Sequence, residues 1–402
     1  MNALSLGAST VLALLWVSLA IAVAVFVLQV FLSVLPARRG VLPPTDAEST
    51  RSPLVVVLPA HDEASGIART LLGVKTQLRP HDRMLVVADN CSDATAQIAR
   101  DTGAEVVERF HETLRGKGFA LAHGIDALRD APPRLVVILD ADCDLGPGAL
   151  DALAFCVATT GRPAQALYLM TAPATASLSR RLAEFAWRVR NLVRPAGWHR
   201  VGMPCQLMGT GMAFTWAMLR DAPLANASIV EDMKLGIDLA SRGQSPVFCA
   251  EALVTSTFPD SAKASKTQRT RWEHGHLEMI MHEVPGMVWR GLVRADPRLV
   301  AMALDLCVPP LALLGALLVL SAILAGALAL LTSHVGILVA NLGLMATFAA
   351  GALAAWALQG RDLVTWRELL SIPAYILAKV PIYAAFLRRR QKHWVRTDRG
   401  DE

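Results

Sequence analysis

Charge is scarce in this chain. Asp, Glu, Lys and Arg make up 18% of its 402 residues while hydrophobic residues make up 53%, and a mean hydropathy of +0.41 excludes an ordinary soluble domain. The six cysteines, Cys91, Cys143, Cys156, Cys205, Cys249 and Cys307, include no C-x-x-C pair, so neither a zinc site nor a disulfide framework is indicated. A reducing, cytosol-facing catalytic region fits that pattern. No aromatic-basic module for nucleic acid is present. The net charge of +5 comes partly from Arg38-Arg39 and Arg388-Arg389-Arg390, which stand beside apolar runs and suit anionic lipid headgroups instead. A Walker sequence is also missing, because Arg115-Gly-Lys117-Gly118 lacks its spacing and its Ser/Thr. With no repeated halves and few intramembrane polar residues, a transporter is a poor account.

Part of the chain belongs in a bilayer. Residues Ala8 to Leu35 carry no charged side chain and can cross roughly 30 Å of hydrocarbon. The run is too long for a signal-peptide core and lacks a basic start. Arg38-Arg39 then place its C-terminal end in the cytosol, and residues 41–53 read as a linker. Toward the other end, Leu299–Thr332 and Val335–Leu358 are expected spans, the first with Asp305 and Pro309-Pro310 near its entrance. The last apolar stretch, Leu369–Leu387, is interrupted by Pro373, Lys379 and Pro381 and ends in basic residues, so it is expected to lie in the interface. Three crossings follow, in the plasma (inner) membrane, with the catalytic domain and C-terminus cytosolic.

Between these ends, residues 54–260 alternate strand and helix patterns. Strands are expected at Leu54–Leu58, Met84–Ala88, Glu105–Val107, Leu135–Leu139 and Ala166–Met170, with helices at Ala64–Gln77, Ala94–Thr102 and Phe119–Leu128. Such alternation implies a mostly parallel α/β sheet. The unbroken run Leu135-Val-Val-Ile-Leu ends in Asp140-Ala-Asp142, two carboxylates on one side of a strand end. Hard oxygen donors there suit Mg²⁺ or Mn²⁺ bridging to substrate phosphates. Two further loops after expected strands, Pro59-Ala-His-Asp-Glu63 and Asp89-Asn-Cys-Ser-Asp93, are also acidic. Residues 261–298, rich in Arg, Trp, Met and His, are too charged to span lipid and are expected to lie on it; His274 and His276 read as polar interfacial residues.

In order and spacing, Pro59-Ala-His-Asp-Glu63, Asp89-Asn-Cys-Ser-Asp93, Asp140-Ala-Asp142, Glu231-Asp232 and Gln268-Arg-Thr-Arg271-Trp272 resemble the motifs of membrane-embedded family 2 glycosyltransferases. That group includes cellulose, chitin, hyaluronan and poly-N-acetylglucosamine synthases. The resemblance implies a GT-A-like nucleotide-sugar-binding sheet flanked by transmembrane helices. It implies inverting transfer of a hexose or N-acetylhexosamine from a UDP-sugar to a growing saccharide, or alternatively one addition onto a membrane lipid.

Site roles follow from the same resemblance. Glu63 is placed at the nucleotide, ahead of Asp62, where the family usually has Asn; Asp89 is placed at the uracil base, and Lys117 is the nucleotide-contacting basic residue. Asp140 and Asp142 are expected to hold the Mg²⁺ or Mn²⁺. Asp232 is the expected general base, whereas Asp93 reads as a helix cap. Arg271 supplies a guanidinium for the leaving diphosphate, Trp272 a face for a sugar ring, and Gln268 lies one helical turn earlier. The segment Gly209-Thr-Gly-Met-Ala-Phe214 resembles the lining of the acceptor terminus.

Overall fold

The computed structural model describes residues 3–36, 51–173, 175–226, 228–259, 261–332 and 335–388. Arg38-Arg39, most of the expected linker and Arg389-Arg390 lie outside the described residues. Among the described residues, eight strands form one mixed sheet: β1 (Leu54–Ala60), β2 (Arg83–Asp89), β3 (Glu105–Arg109), β4 (Leu135–Ile138), β5 (Asp144–Leu145), β6 (Ala164–Thr171), β7 (Met212–Thr215) and β8 (Val247–Thr257). Their spatial order is β3-β2-β1-β4-β7-β6-β8-β5. Pairs β1–β2, β1–β4, β2–β3 and β6–β8 are parallel, while β4–β7, β6–β7 and β5–β8 are antiparallel.

This order places the acidic loops together. The chain steps outward from β1 through β2 to β3, then returns to lay β4 on the opposite side of β1. The carboxyl ends of β2, β1 and β4 are therefore neighbours at a topological switch point, where open α/β sheets bind ligands. Residues along β1 alternate between two cores: Val56 and Leu58 pack with Ile67, Leu71 and Val74 of α2 (Ile67–Lys75), and Val55 and Val57 with Leu121 and Ile125 of α4 (Lys117–Ala127). Helices α3 (Thr95–Thr102) and α5 (Ala149–Thr160) join the α2 side. The short α8 (Trp216–Leu219) and α9 (Glu231–Ser241) join the α4 side. Burial on both faces explains why the strands read as unbroken apolar runs.

A second body of helices is built from a segment inserted between β6 and β7 and from the chain after β8. It comprises α6 (Leu178–Arg188), a π-helical segment Val189–Val193, α7 (Arg194–Arg200), α10 (Ala262–His282), α11 (Val284–Val293) and α12 (Pro297–Leu306). The long apolar helices are α1 (Ala3–Ser33), α13 (Leu311–Thr332), α14 (Gly336–Gln359) and α15 (Ile372–Arg388). Among the described residues, four stretches are long and apolar enough to cross a membrane: Thr10–Ser33, Leu311–Thr332, Gly336–Gln359 and Glu368–Phe386. The expected three crossings thus become four candidates, because α15 continues as helix through Pro381. The expected single span from Leu299 is split. Asp296 caps α12 by accepting from the Arg298 and Leu299 amides at 3.0 and 3.1 Å, and Pro309-Pro310, lacking amide donors, separate it from α13.

Corrections also fall on α10. Glu273, His274, Gly275 and His276 are consecutively buried, so this helix is enclosed by protein on all sides there rather than floating on lipid. His274 and His276 are not interfacial: each bonds a backbone carbonyl through Nε2 at 3.0 Å, that of Ile382 and that of Leu306. Burial pushes the His276 imidazole down to about 3, so it stays neutral.

One polar network ties α1 to this body. Fully buried Gln29 donates to Asp305 Oδ1 at 2.6 Å and accepts from Arg194 Nε at 2.8 Å, while Arg194 Nη2 reaches Asp305 Oδ1 at 2.9 Å. A Cβ on Gly197 would meet the Gln29 carbonyl oxygen at 2.0 Å, so α7 and α1 touch backbone to backbone. Replacing Asp305 by Ala strands the Arg194 charge, and a loss of about 3–5 kcal/mol is expected. The measurement is the thermal midpoint of the detergent-solubilised protein, and an unchanged midpoint would show the network to be dispensable.

Candidate active site

Every residue singled out for chemistry in the sequence, Glu63, Asp89, Lys117, Asp140, Asp142, Asp232, Gln268, Arg271 and Trp272, lines one cavity of about 270 Å³. Its floor is the switch point of the sheet, and its far wall is α10 with the π-helical segment. The loop after β1 turns sharply at Asp62, whose φ of 52° lies in the left-handed region that Asp and Asn tolerate better than most residues. Asp62 Oδ1 accepts from the Ser92 amide at 2.6 Å, and the Glu63 amide donates to Thr95 Oγ1 at 2.8 Å. The first two acidic loops therefore brace each other. Asp93, expected to cap α3, stands one residue before the N-cap position, which Ala94 fills; its carboxylate accepts from the Thr95 amide at 2.9 Å and the Ala64 amide at 3.0 Å, so it braces the loops. Burial works against that carboxylate, but these bonds hold it below its ordinary range. With their oxygens taken by amides and hydroxyls, Asp62 and Asp93 suit loop bracing better than metal ligation, although they cluster with Cys91.

Lys117 stands at the centre. Its Nζ donates to Asp140 Oδ1 and, at 2.6 Å, to the carbonyl of Gly209. Burial opposes its charge, but Asp140 and Glu231 outweigh burial and raise the ammonium above its usual range. Asp140, Asp142 and Cys143 each offer a ligand atom within 4.8 Å of the others. Burial first, and then Asp142, push the Cys143 thiol well up, which leaves two carboxylates as the hard donors. Glu231 and Asp232 open α9. Burial raises both, and their mutual repulsion lifts Glu231 to about 7. Gly209, at φ +91°, packs so closely that a Cβ there would lie 3.4 Å from Asp232 Oδ2.

On α10, Gln268 and Trp272 share the cavity face, as their i, i+4 spacing implies. The Nε of Arg271 is buried with no hydrogen-bond partner among the described residues, a donor that an incoming anion would satisfy. Trp272 packs on Trp187 with ring centroids 4.9 Å apart. Trp187, Arg190 and Glu231 are site residues that the sequence reading missed or left in a minor role. Burial lowers the Arg190 guanidinium, against the pull of Asp232. Behind the lining, Arg109 donates to Asp89 Oδ1 at 2.6 Å and its guanidinium sits 5.6 Å from the Phe119 ring centroid, which fixes the carboxylate that does line the cavity.

Residues 52–275 match the model of the glycosyltransferase-like family 2. The chain belongs to that family. Among solved structures, this glycosyltransferase is similar to a mannosyltransferase from Pyrobaculum calidifontis, solved in complex with GDP-mannose and Mn²⁺. Identity is 18% and the TM-score 0.53, over 93% of this chain and 100% of that one, a likeness of fold. Glucosyl-3-phosphoglycerate synthase from Mycobacterium tuberculosis, with Mn²⁺, UDP and glucosyl-3-phosphoglycerate, shares 19% identity at a TM-score of 0.37 over 56% of this chain and 80% of that one. No curated protein matches.

The acid-rich cavity of the glycosyltransferase makes its stability pH-dependent. A folded-state Glu231 near 7, against an ordinary carboxylate near 4.5, means that the folded protein binds more protons between those values. Stability therefore falls as pH rises from about 4.5 to 7 and is level beyond, by no more than about 3 kcal/mol for this residue. Glu231→Gln is expected to flatten that slope in denaturation midpoints recorded across pH 5 to 8. A slope unchanged by the substitution would clear Glu231 of causing it.

Proposed function

We propose that this family 2 member is an inverting hexosyltransferase that moves a hexose or N-acetylhexosamine from a UDP-sugar to an acceptor hydroxyl at the cytosolic face of the inner membrane. The observation that carries the reading is the convergence of Asp140, Asp142, Asp232 and Arg271 on one cavity. Seven acidic side chains line it against four basic ones, an excess that favours a divalent cation alongside the donor phosphates. Asp140 and Asp142 would hold Mg²⁺ or Mn²⁺, which when bound neutralises charge on the departing diphosphate. Lys117 and Arg271 add fixed positive charge to the same leaving group, Arg271 through a planar fork matched to phosphate. Asp89, held in place by Arg109, offers a polar edge for the uracil ring, and Glu63 bounds the ribose side. The tilted pair Trp272 and Trp187, with planes 38° apart, gives the sugar an apolar wall.

Asp232 then takes the proton from the acceptor hydroxyl while the oxygen attacks the anomeric carbon from the face opposite UDP. Its raised affinity for a proton suits that task. The acceptor is a growing saccharide in the polysaccharide synthase-like reading; the alternative is a membrane lipid receiving one sugar. Asp232→Asn is expected to keep UDP-sugar binding while transfer falls by about 10²–10⁴-fold, measured by calorimetry alongside UDP release. Unaltered transfer would remove Asp232 from the base role. In wild-type enzyme, chelation with EDTA is expected to abolish transfer, and Mn²⁺ or Mg²⁺ to restore it; Asp142→Asn should raise the metal concentration that restores it. A donor panel of UDP-glucose, UDP-N-acetylglucosamine and GDP-mannose tests the uridine assignment, which transfer from GDP-mannose alone would overturn.

A further inference from the structure

A second cavity, of about 200 Å³, adjoins the first and shares Trp187, Arg190 and Trp272 with it. Its walls come from α6, α10, α13, α14 and α15, three of them candidate membrane spans. Apolar groups dominate the lining, among them Phe185, Phe348 and Ile376. Charges at its border are largely neutralised within the fold: Lys379 pairs with Glu273 at 2.7 Å and Arg194 with Asp305 at 2.9 Å. Arg190 faces the Asp232 carboxylate across the shared wall. Arg269, on α10, also lines the cavity and offers a cation to ester or headgroup oxygens.

A saccharide emerging here would meet few hydrogen-bonding partners, whereas an acyl chain finds apolar walls among helices whose outer faces meet lipid. Resting on the transferase reading above, we propose that this chamber is the acceptor site, and that the acceptor is a membrane lipid alcohol with an uncharged hydroxyl head, glycosylated once. Its chain fills the chamber and its hydroxyl crosses the Trp187–Arg190–Trp272 wall toward Asp232. The hydroxyl oxygen bonds to the anomeric carbon, the bond from that carbon to the diphosphate oxygen breaks with its electron pair leaving on UDP, and the proton passes to Asp232. A lipid phosphate fits less well, since its oxygen needs no base and two carboxylates already occupy the approach.

The test uses the full chain in vesicles made from total lipid extract supplemented with 1,2-dioleoylglycerol, or with dioleoyl phosphatidic acid in a parallel arm, and a radiolabelled UDP-sugar. Wild-type enzyme is expected to place label in the chloroform phase, on a product carrying one sugar. Ala352→Trp on α14, which fills the chamber, should cut that product about tenfold or more, and Ala312→Phe on α13 repeats the test from another wall. Retained UDP binding by calorimetry identifies the folded variants. Label found only in water-soluble saccharide, or only on phosphatidic acid, would overturn the proposal and leave the transferase reading standing, as would plugged variants with undiminished lipid product. Absence of both UDP release and UDP-sugar binding in wild-type enzyme would overturn the two together.

Discussion

The structure depends on keeping several carboxylates together in a partly dehydrated space. At a few ångströms and low effective dielectric, each pair of ionised acids repels by several kcal/mol. The fold meets this with Lys117, fixed by the start of α4 and by the Gly209 carbonyl, so that one ammonium serves Asp140 directly and Glu231 and Asp232 through space. Gly209 is part of the same solution, because its left-handed backbone turns a carbonyl toward Lys117 while leaving room for Asp232. Burial, together with the repulsion that remains, raises the proton affinity of Glu231 and Asp232. Site chemistry and charge balance are thus one arrangement.

That arrangement is held against the apolar helices by polar contacts that repay their desolvation only when complete. Gln29 sits in the last turns of a largely apolar candidate span, where an unsatisfied amide is costly, yet both ends of its side chain are bonded, to Asp305 and to Arg194. Lys379 in α15 is likewise paired with Glu273 of α10. Each pair joins an apolar helix to the enclosing helices of the site, so the position of Arg271 and Trp272 is tied to the position of the spans. Such pairs fix one docking geometry out of many that apolar packing alone would permit.

How much of this was legible in the sequence varies with the range of the interactions involved. β1, β2 and β4 were legible because burial on both faces leaves unbroken aliphatic runs, and their loops were legible because acids cluster at strand ends. Antiparallel β7 and the long β8 were not. Glycines and polar residues interrupt Gly209–Thr215, and β8 alternates with Glu251 and Thr255 along an irregular register against β6. The aromatic and cationic wall at Trp187 and Arg190 gave no motif, since its place in the cavity is set by long-range packing of the π-helical segment. Nor could composition show that α10 is enclosed: its charges find partners on α15 and at the site, which a local window does not contain.

The π-helical segment explains why that wall can serve two cavities. An inserted residue widens one helical turn and rotates the residues beyond it, a distortion often kept at functional sites. Here Val189 and Val193 stay in the apolar cluster with Phe26 and Trp198, while Arg190 and Asn191 both line the acid-rich cavity. Asn191 Nδ2 donates to the Tyr168 carbonyl at 3.1 Å, which anchors the segment to β6 of the sheet. One short stretch thus faces the sheet and both cavities, and it puts the boundary between polar and apolar surroundings at the wall the two cavities share.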